Sequence, residues 1–200
     1  MTKIIIFGFL ILSLVFLSGC QNSPITKTLN PIGDASVDNN GKNYGGDKYL
    51  KIYDSTGGLI NDETLVYLKF DLSNIPKDID ISSAKLKLLV ANIDEAYNIG
   101  MYRSEDTSWK EFEINWGNKP SFSNKPNDIK KVVLSNEWYE WDVKNLVYDE
   151  KSDHITFVLK SMDIHKNWMY VNFYSTDQTN KEDQNRIPSL IIKYTKKSKN

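Results

Sequence analysis

The chain has 200 residues, a formal net charge of −1 and 12% aromatic residues, among them five Trp and eleven Tyr. A charge balance this close to zero excludes the global positive field by which proteins gather nucleic acid or anionic lipid. A single Cys excludes a disulfide framework within the chain, so the fold must stand on its core, or on its core together with a metal.

In chain order, Lys3 precedes an apolar run from Ile4 to Phe16, which ends in Leu17-Ser18-Gly19-Cys20. A basic start, a short apolar stretch and small residues describe a secretion signal rather than a permanent span. Leu-Ser-Gly-Cys resembles the lipobox of prokaryotic lipoproteins, in which the Cys thiol is acylated and the chain is cut just before it. The resemblance implies that residues 1–20 are a lipoprotein signal peptide and that Cys20 is the lipidated residue. It further implies an exported protein, anchored to a membrane and facing the extracytoplasmic side; two or more acyl chains hold such an anchor stably. Residues 21–27 read as a polar tether.

Short strand-like runs follow, divided by turn residues. Lys48 to Tyr53 alternates polar and apolar and stops at Asp54-Ser55-Thr56-Gly57-Gly58; Leu65 to Asp71 is closed by Asn74-Ile75-Pro76; Ala84 to Val90 alternates over most of its length. Further runs cover Tyr97–Tyr102, Val132–Leu134, Trp138–Val143, Ile155–Lys160, Met169–Tyr174 and Leu190–Tyr194, and only Val143–Tyr148 reads as helix. Period-two patterning with regular turn punctuation predicts one all-β domain, an antiparallel sandwich or barrel. Its inward residues are Leu50, Ile52, Val66, Leu68, Phe70, Leu86, Leu88, Val90, Phe157 and Leu159, because a one-residue slip in register would put all of them into water.

The linear order of motifs is also informative: Asp34-Ala35-Ser36-Val37, Asn43-Tyr44-Gly45, Tyr67-Leu68-Lys69-Phe70-Asp71-Leu72-Ser73, Trp109, Asn115-Trp116-Gly117-Asn118-Lys119-Pro120, Trp141-Asp142-Val143, Phe173-Tyr174-Ser175 and Pro188-Ser189-Leu190. This order resembles the DNRLRE family, which includes disaggregatase-related domains and an alginate-binding carbohydrate-binding module family. The resemblance implies a jelly-roll β-sandwich over residues 28–195, followed by a basic tail at 196–200, that serves as a secreted sugar-binding domain. Asp177 stands where the family more commonly has Glu.

Three constellations are candidates for function. Tyr49, Lys51 and Tyr53 share one strand face, as do Tyr67 and Lys69, and Lys85 and Lys87. Brought together in one sheet, they would form a platform of rings and ammonium groups suited to an acidic polysaccharide, since sugars stack their C–H faces on rings and Lys donates to carboxylates; the bland alternative is ordinary solvent-facing strand residues. Oxygen ligands cluster at Asp34, Asp38, Asn39, Asn40, Asn43 and Asp47, a composition that suits either turn geometry or calcium. The resemblance extends a calcium site to Asp34, Asp38, Asn43 and Asp177. Trp109, Trp116 and Trp141 read as core or loop anchors, and of Trp138 and Tyr139 one must face outward. No catalytic residue is assigned: His154 and His165 lie in no zinc spacing, and Glu111 with Glu113 is no more than a pair of acids in an acid-rich chain. The expected function is non-catalytic binding of polysaccharide, with no nucleic-acid partner. The alternatives are a structural or protein-docking surface sandwich, and a polysaccharide lyase or glycoside hydrolase.

Overall fold

The computed structural model describes residues 23–55, 62–150, 152–164, 169–178 and 183–197. Cys20 and the leader, the end of the Asp54–Gly58 turn, His165 and Trp168 lie outside these residues. Thirteen strands and one short helix are present among the described residues. One sheet contains β1 (Ile25–Leu29), β13 (Ser189–Lys196), β7 (Ile79–Ile93), β12 (Val171–Tyr174) and β4 (Tyr49–Ile52) in that order, with β10 (Trp138–Asp142) on the other edge of β7. The second sheet runs β3 (Asn43–Tyr44), β2 (Gly33–Asp38), β6 (Asp62–Asp71), β11 (His154–Ser161), β8 (Tyr97–Arg103) and β9 (Asp128–Val132), with β5 (Asp54–Ser55) paired to β6. All pairings are antiparallel, and the two sheets face each other as a sandwich without closing into a barrel. Most consecutive strands cross from one sheet to the other, the connectivity that a jelly-roll-like arrangement requires.

Leu50, Ile52, Val66, Leu68, Phe70, Leu86, Leu88, Val90, Phe157 and Leu159 all lie between the sheets, in one core that also takes in Trp141, Phe173 and Tyr97. Each fully buried Leu or Phe contributes roughly 1.5–3 kcal/mol relative to leaving it in water, which is how this chain holds together without a cystine. Trp141 donates its indole N–H to the Ile99 carbonyl at 3.0 Å and meets Phe173 edge-on. Helix α1 (Lys144–Asp149) is short and buries only Val147.

Four details depart from the pattern read off the sequence. Ile25–Leu29 pairs with β13, so the last three residues assigned to the tether belong to the sheet. β7 is much longer than its alternating stretch, because Ile79 to Ala84 continue the pairing with β13. The run expected at Val132–Leu134 is instead a strand at Asp128–Val132, and Val133 and Leu134 are exposed. Asp34-Ala35-Ser36-Val37 is a strand buried along its whole length, although Asp34 belongs to a run of oxygen ligands whose composition suits turn geometry or calcium.

Candidate functional site

The connection between β8 and β9, residues 104–127, folds back over the outer face of the second sheet and forms a second apolar cluster with it, in which Ala35, Val37, Tyr67, Tyr102, Trp109 and Val158 take part. Tyr67 is fully buried there, donates its hydroxyl to the Pro120 carbonyl at 2.8 Å and meets Trp109 edge-on at 5.9 Å. Trp109 donates its indole N–H to Thr156 Oγ1 at 3.0 Å. Lys69 lies 4.8 Å over the Trp109 ring and donates to the carbonyls of Thr107 and Trp109. Burial holds the Lys69 ammonium below the usual lysine range and pushes the Tyr67 phenol up. Tyr67 and Lys69 therefore do not belong to a surface platform. They point away from the main core, as alternation requires, but the long loop covers them.

The other five residues of the expected platform sit on or beside the outer face of the first sheet. Lys85 pairs with Asp142 at 3.0 Å. Lys87 lies 3.9 Å from Glu140 and 4.5 Å over the Trp138 ring. Tyr49 is 41% exposed and packs edge-on against Tyr174, its direct partner across the β4–β12 ladder. Arg186 stacks on the same Tyr174 ring and donates to its hydroxyl at 2.9 Å. Lys51 stands 5.1 Å over Tyr170.

Lys51 and Tyr53 also share two adjoining hollows along strand β4. One, of about 70 Å³, is lined by Ser36, Tyr44, Asp47, Tyr49 and Thr64 together with these two residues. The other, of about 210 Å³, is closed by Met169 and Tyr170. The result is a groove with a central ammonium, tyrosine rings on both sides and acceptors at Asp47 and Ser36. Tyr44, Tyr170, Tyr174, Arg186 and Trp138 were not among the expected site residues. The alternation Tyr170, Asn172, Tyr174 along one face of the Met169–Tyr174 run was the signal available for two of them. A separate hollow of about 170 Å³ lies near the opposite end of β7, between Leu72, Ile75, Ile79, Ile81 and Val147; it is a packing gap around α1 without ring–cation stacking.

Beside the groove, three carboxylates converge: Asp34 on β2, Glu111 in the long loop and Asp177 after β12, with one oxygen from each within 4.8 Å of the others. Asp34 accepts from the Thr176 backbone N–H at 2.8 Å and the Thr176 hydroxyl at 2.9 Å. Asp177 Oδ2 is buried without a hydrogen-bond partner. Burial pushes Asp34 up to about 7, with the Glu111 and Asp177 charges adding to it despite the bonds from Thr176. Glu111 and Asp177 are raised as well, again chiefly by burial. Like charges held this close, with an orphan oxygen among them, fit a hard divalent cation that takes oxygen ligands.

Asp38 and Asn43 do not share in this cluster. Asp38 caps its own turn, accepting from the N–H groups of Asn40 and Lys42 and from the Tyr44 hydroxyl. Asn43 donates to the carbonyls of Glu111 and Ile114, tying β3 to the loop, and accepts from the Gly45 N–H in its own turn, so both of its polar ends are spent. Gly45 permits that approach: a Cβ there would lie 2.3 Å from the Glu111 carbonyl oxygen. Glu111 thus belongs to the acidic cluster, while Glu113 is exposed and paired with Lys110 at 2.9 Å; the two do not face each other across a groove.

No curated protein matches the sequence. A family model, that of carbohydrate-binding module family 96, matches residues 25–192, which is the sandwich from the first strand through the first half of the last. The chain belongs to carbohydrate-binding module family 96.

Proposed function

We propose that this protein binds acidic, uronate-type polysaccharide without cleaving it, and that the groove along β4 is where a sugar is held. One observation carries the reading: Lys51 rises between Tyr49, Tyr53 and Tyr170 in a hollow open to solvent. Rings offer apolar faces to the C–H surfaces of a sugar, and the ammonium offers donors to a carboxylate. The family membership supports the general function, and the Lys51 ammonium supports the acidic preference.

Calcium is part of this reading, held by Asp34, Glu111 and Asp177 rather than by the early loop alone. It would tie β2, the long loop and the segment after β12 together behind the groove. The lipobox-like Leu17-Ser18-Gly19-Cys20 supports an exported protein acylated at Cys20, so that many copies on one membrane would turn a modest site into strong retention of polymer.

The test is calorimetric titration of the purified domain with polymannuronate, polyguluronate and polygalacturonate against neutral glucans, with and without calcium. Saturable binding to a uronate polymer, with no new unsaturated or reducing ends, is the expected result. Equal binding to neutral glucans removes the acidic preference, and new chain ends remove the non-catalytic reading.

A further inference from the structure

The outer face of the first sheet continues the groove in register. On β12, Asn172 lies opposite Lys51 and Tyr174 opposite Tyr49. Phe173 lies opposite Val90 of β7, so the next position, Tyr174, falls beside Leu89. Leu89 in turn lies opposite Trp138 on β10. One row of side chains therefore crosses the sheet from β4 to β10, with Tyr49 and Trp138 at its ends, both more than a third exposed, and Tyr174 and Leu89 buried between them. Cations flank the row along its length: Lys51 over Tyr170, Arg186 over Tyr174 and Lys87 over Trp138. Three strand spacings separate the ends, about 14 Å, the length of a short oligosaccharide rather than of one sugar. β4 and β10 are both edge strands of the first sheet, and beyond β4 the groove is lined by Ser36, Tyr44 and Thr64 of the second.

Resting on the reading of the groove as a sugar site, we propose that the site is a track for an internal stretch of a linear anionic polysaccharide, with the Trp138–Lys87 pair as a second subsite. The ring–cation pairs set its chemistry. Each presents an apolar surface beside a positive charge: Arg186–Tyr174 and Lys87–Trp138 at the row itself, Lys51–Tyr170 a few positions along the strands from its β4 end. A polymer with a carboxylate on every sugar meets cations on successive residues, whereas an isolated acidic monosaccharide meets one. Arg186 adds a planar guanidinium, its Nη1 held by Asp183 at 3.0 Å and by the Tyr174 hydroxyl at 2.9 Å. Asn136, at φ 60°, turns the chain into β10 just before Trp138, a conformation that Asn tolerates better than most residues, so the indole stands on a defined turn.

The experiment is a length series: uronate oligosaccharides from disaccharide to octasaccharide, of whichever uronate the wild-type protein binds as polymer, titrated into wild type, Trp138→Ala, Lys87→Gln and Lys51→Gln, with thermal midpoints confirming the fold. Wild-type affinity is expected to rise about tenfold or more once the oligomer spans both subsites, a gain of about 1.4 kcal/mol. Trp138→Ala and Lys87→Gln should flatten that rise, while Lys51→Gln should weaken every length. A wild-type affinity independent of length overturns the track but leaves the groove standing, as does a length gain that survives in both Trp138→Ala and Lys87→Gln. Absence of binding to any uronate polymer overturns the functional reading and the track with it. The wild-type series needs no mutant to fold.

Discussion

Lys51 places its ammonium 5.1 Å from the centre of the Tyr170 ring, and Tyr170 is itself clamped by a bond from its N–H to the Asp94 carboxylate and another from the Asp94 N–H to its carbonyl, both 3.2 Å. The cation at the centre of the groove is thus carried on a fixed ring. Lys69 is also carried on a ring, but under a loop. The two lysines should behave oppositely. Lys51→Gln should lower uronate affinity about tenfold with little change in thermal midpoint, and wild-type binding should weaken as salt screens the charge. Lys69→Gln should leave affinity alone. Titrations of both variants at two ionic strengths decide the matter; a binding loss in Lys69→Gln alone would move the site to the covered sheet.

The second apolar cluster makes a stability prediction independent of sugar. Tyr67→Phe leaves the Pro120 carbonyl without its donor and should cost about 1–3 kcal/mol. Trp109→Ala, which empties the centre of the cluster, should cost about 3–5 kcal/mol. Denaturant unfolding measures both. A neutral Tyr67→Phe would mean that the loop is not held to the sheet as described.

Calcium should raise the thermal midpoint, with a gain of about 2.7 kcal/mol when it is present at a hundred times its dissociation constant. Glu111→Gln and Asp177→Asn should abolish the shift, and Asp38→Asn should keep it. A shift lost in Asp38→Asn but kept in Asp177→Asn would return the metal to the early loop.

The carboxylate cluster sets a pH dependence when metal is chelated. Asp34 is pushed from 3.8 to about 7, chiefly by burial. An acid whose native pKa lies above its unfolded value holds its proton more tightly when folded. It therefore favours the folded state below that window and loses stability as pH rises through it. In chelator, the midpoint of wild type relative to Asp34→Asn should fall between about pH 4 and about pH 7. A rising difference over this range contradicts the burial of Asp34 as an acid under strain.

Gly45→Ala should loosen the loop, because the added methyl carbon would meet the Glu111 carbonyl oxygen at 2.3 Å. Backbone must move, carrying Glu111 with it. The expected result is a lower midpoint and weaker calcium stabilisation together; a loss of stability with the calcium effect intact would uncouple the loop from the carboxylates.

The layered fold and its inner faces were legible in the residues alone. Leu50 and Ile52, or Leu86, Leu88 and Val90, have only one register that keeps them out of water, so local alternation decides which way they point. The same rule correctly turned Tyr67 and Lys69 away from the main core, but could not say what lay beyond. Leu65-Val66-Tyr67-Leu68, an unbroken apolar run where Ala84–Val90 alternates, was the trace of a second covered face. Which loop covers it depends on pairings across dozens of residues. The carboxylate cluster is of the same kind: Thr176 meets Asp34 across 142 positions, and Glu111 joins them from a third segment. Alternation acts between neighbours and can be read along a chain. Convergence of distant segments is set by how the two sheets stack and where the long loop lands, so only the assembled sandwich decides which rings, ammonium groups and carboxylates share a surface.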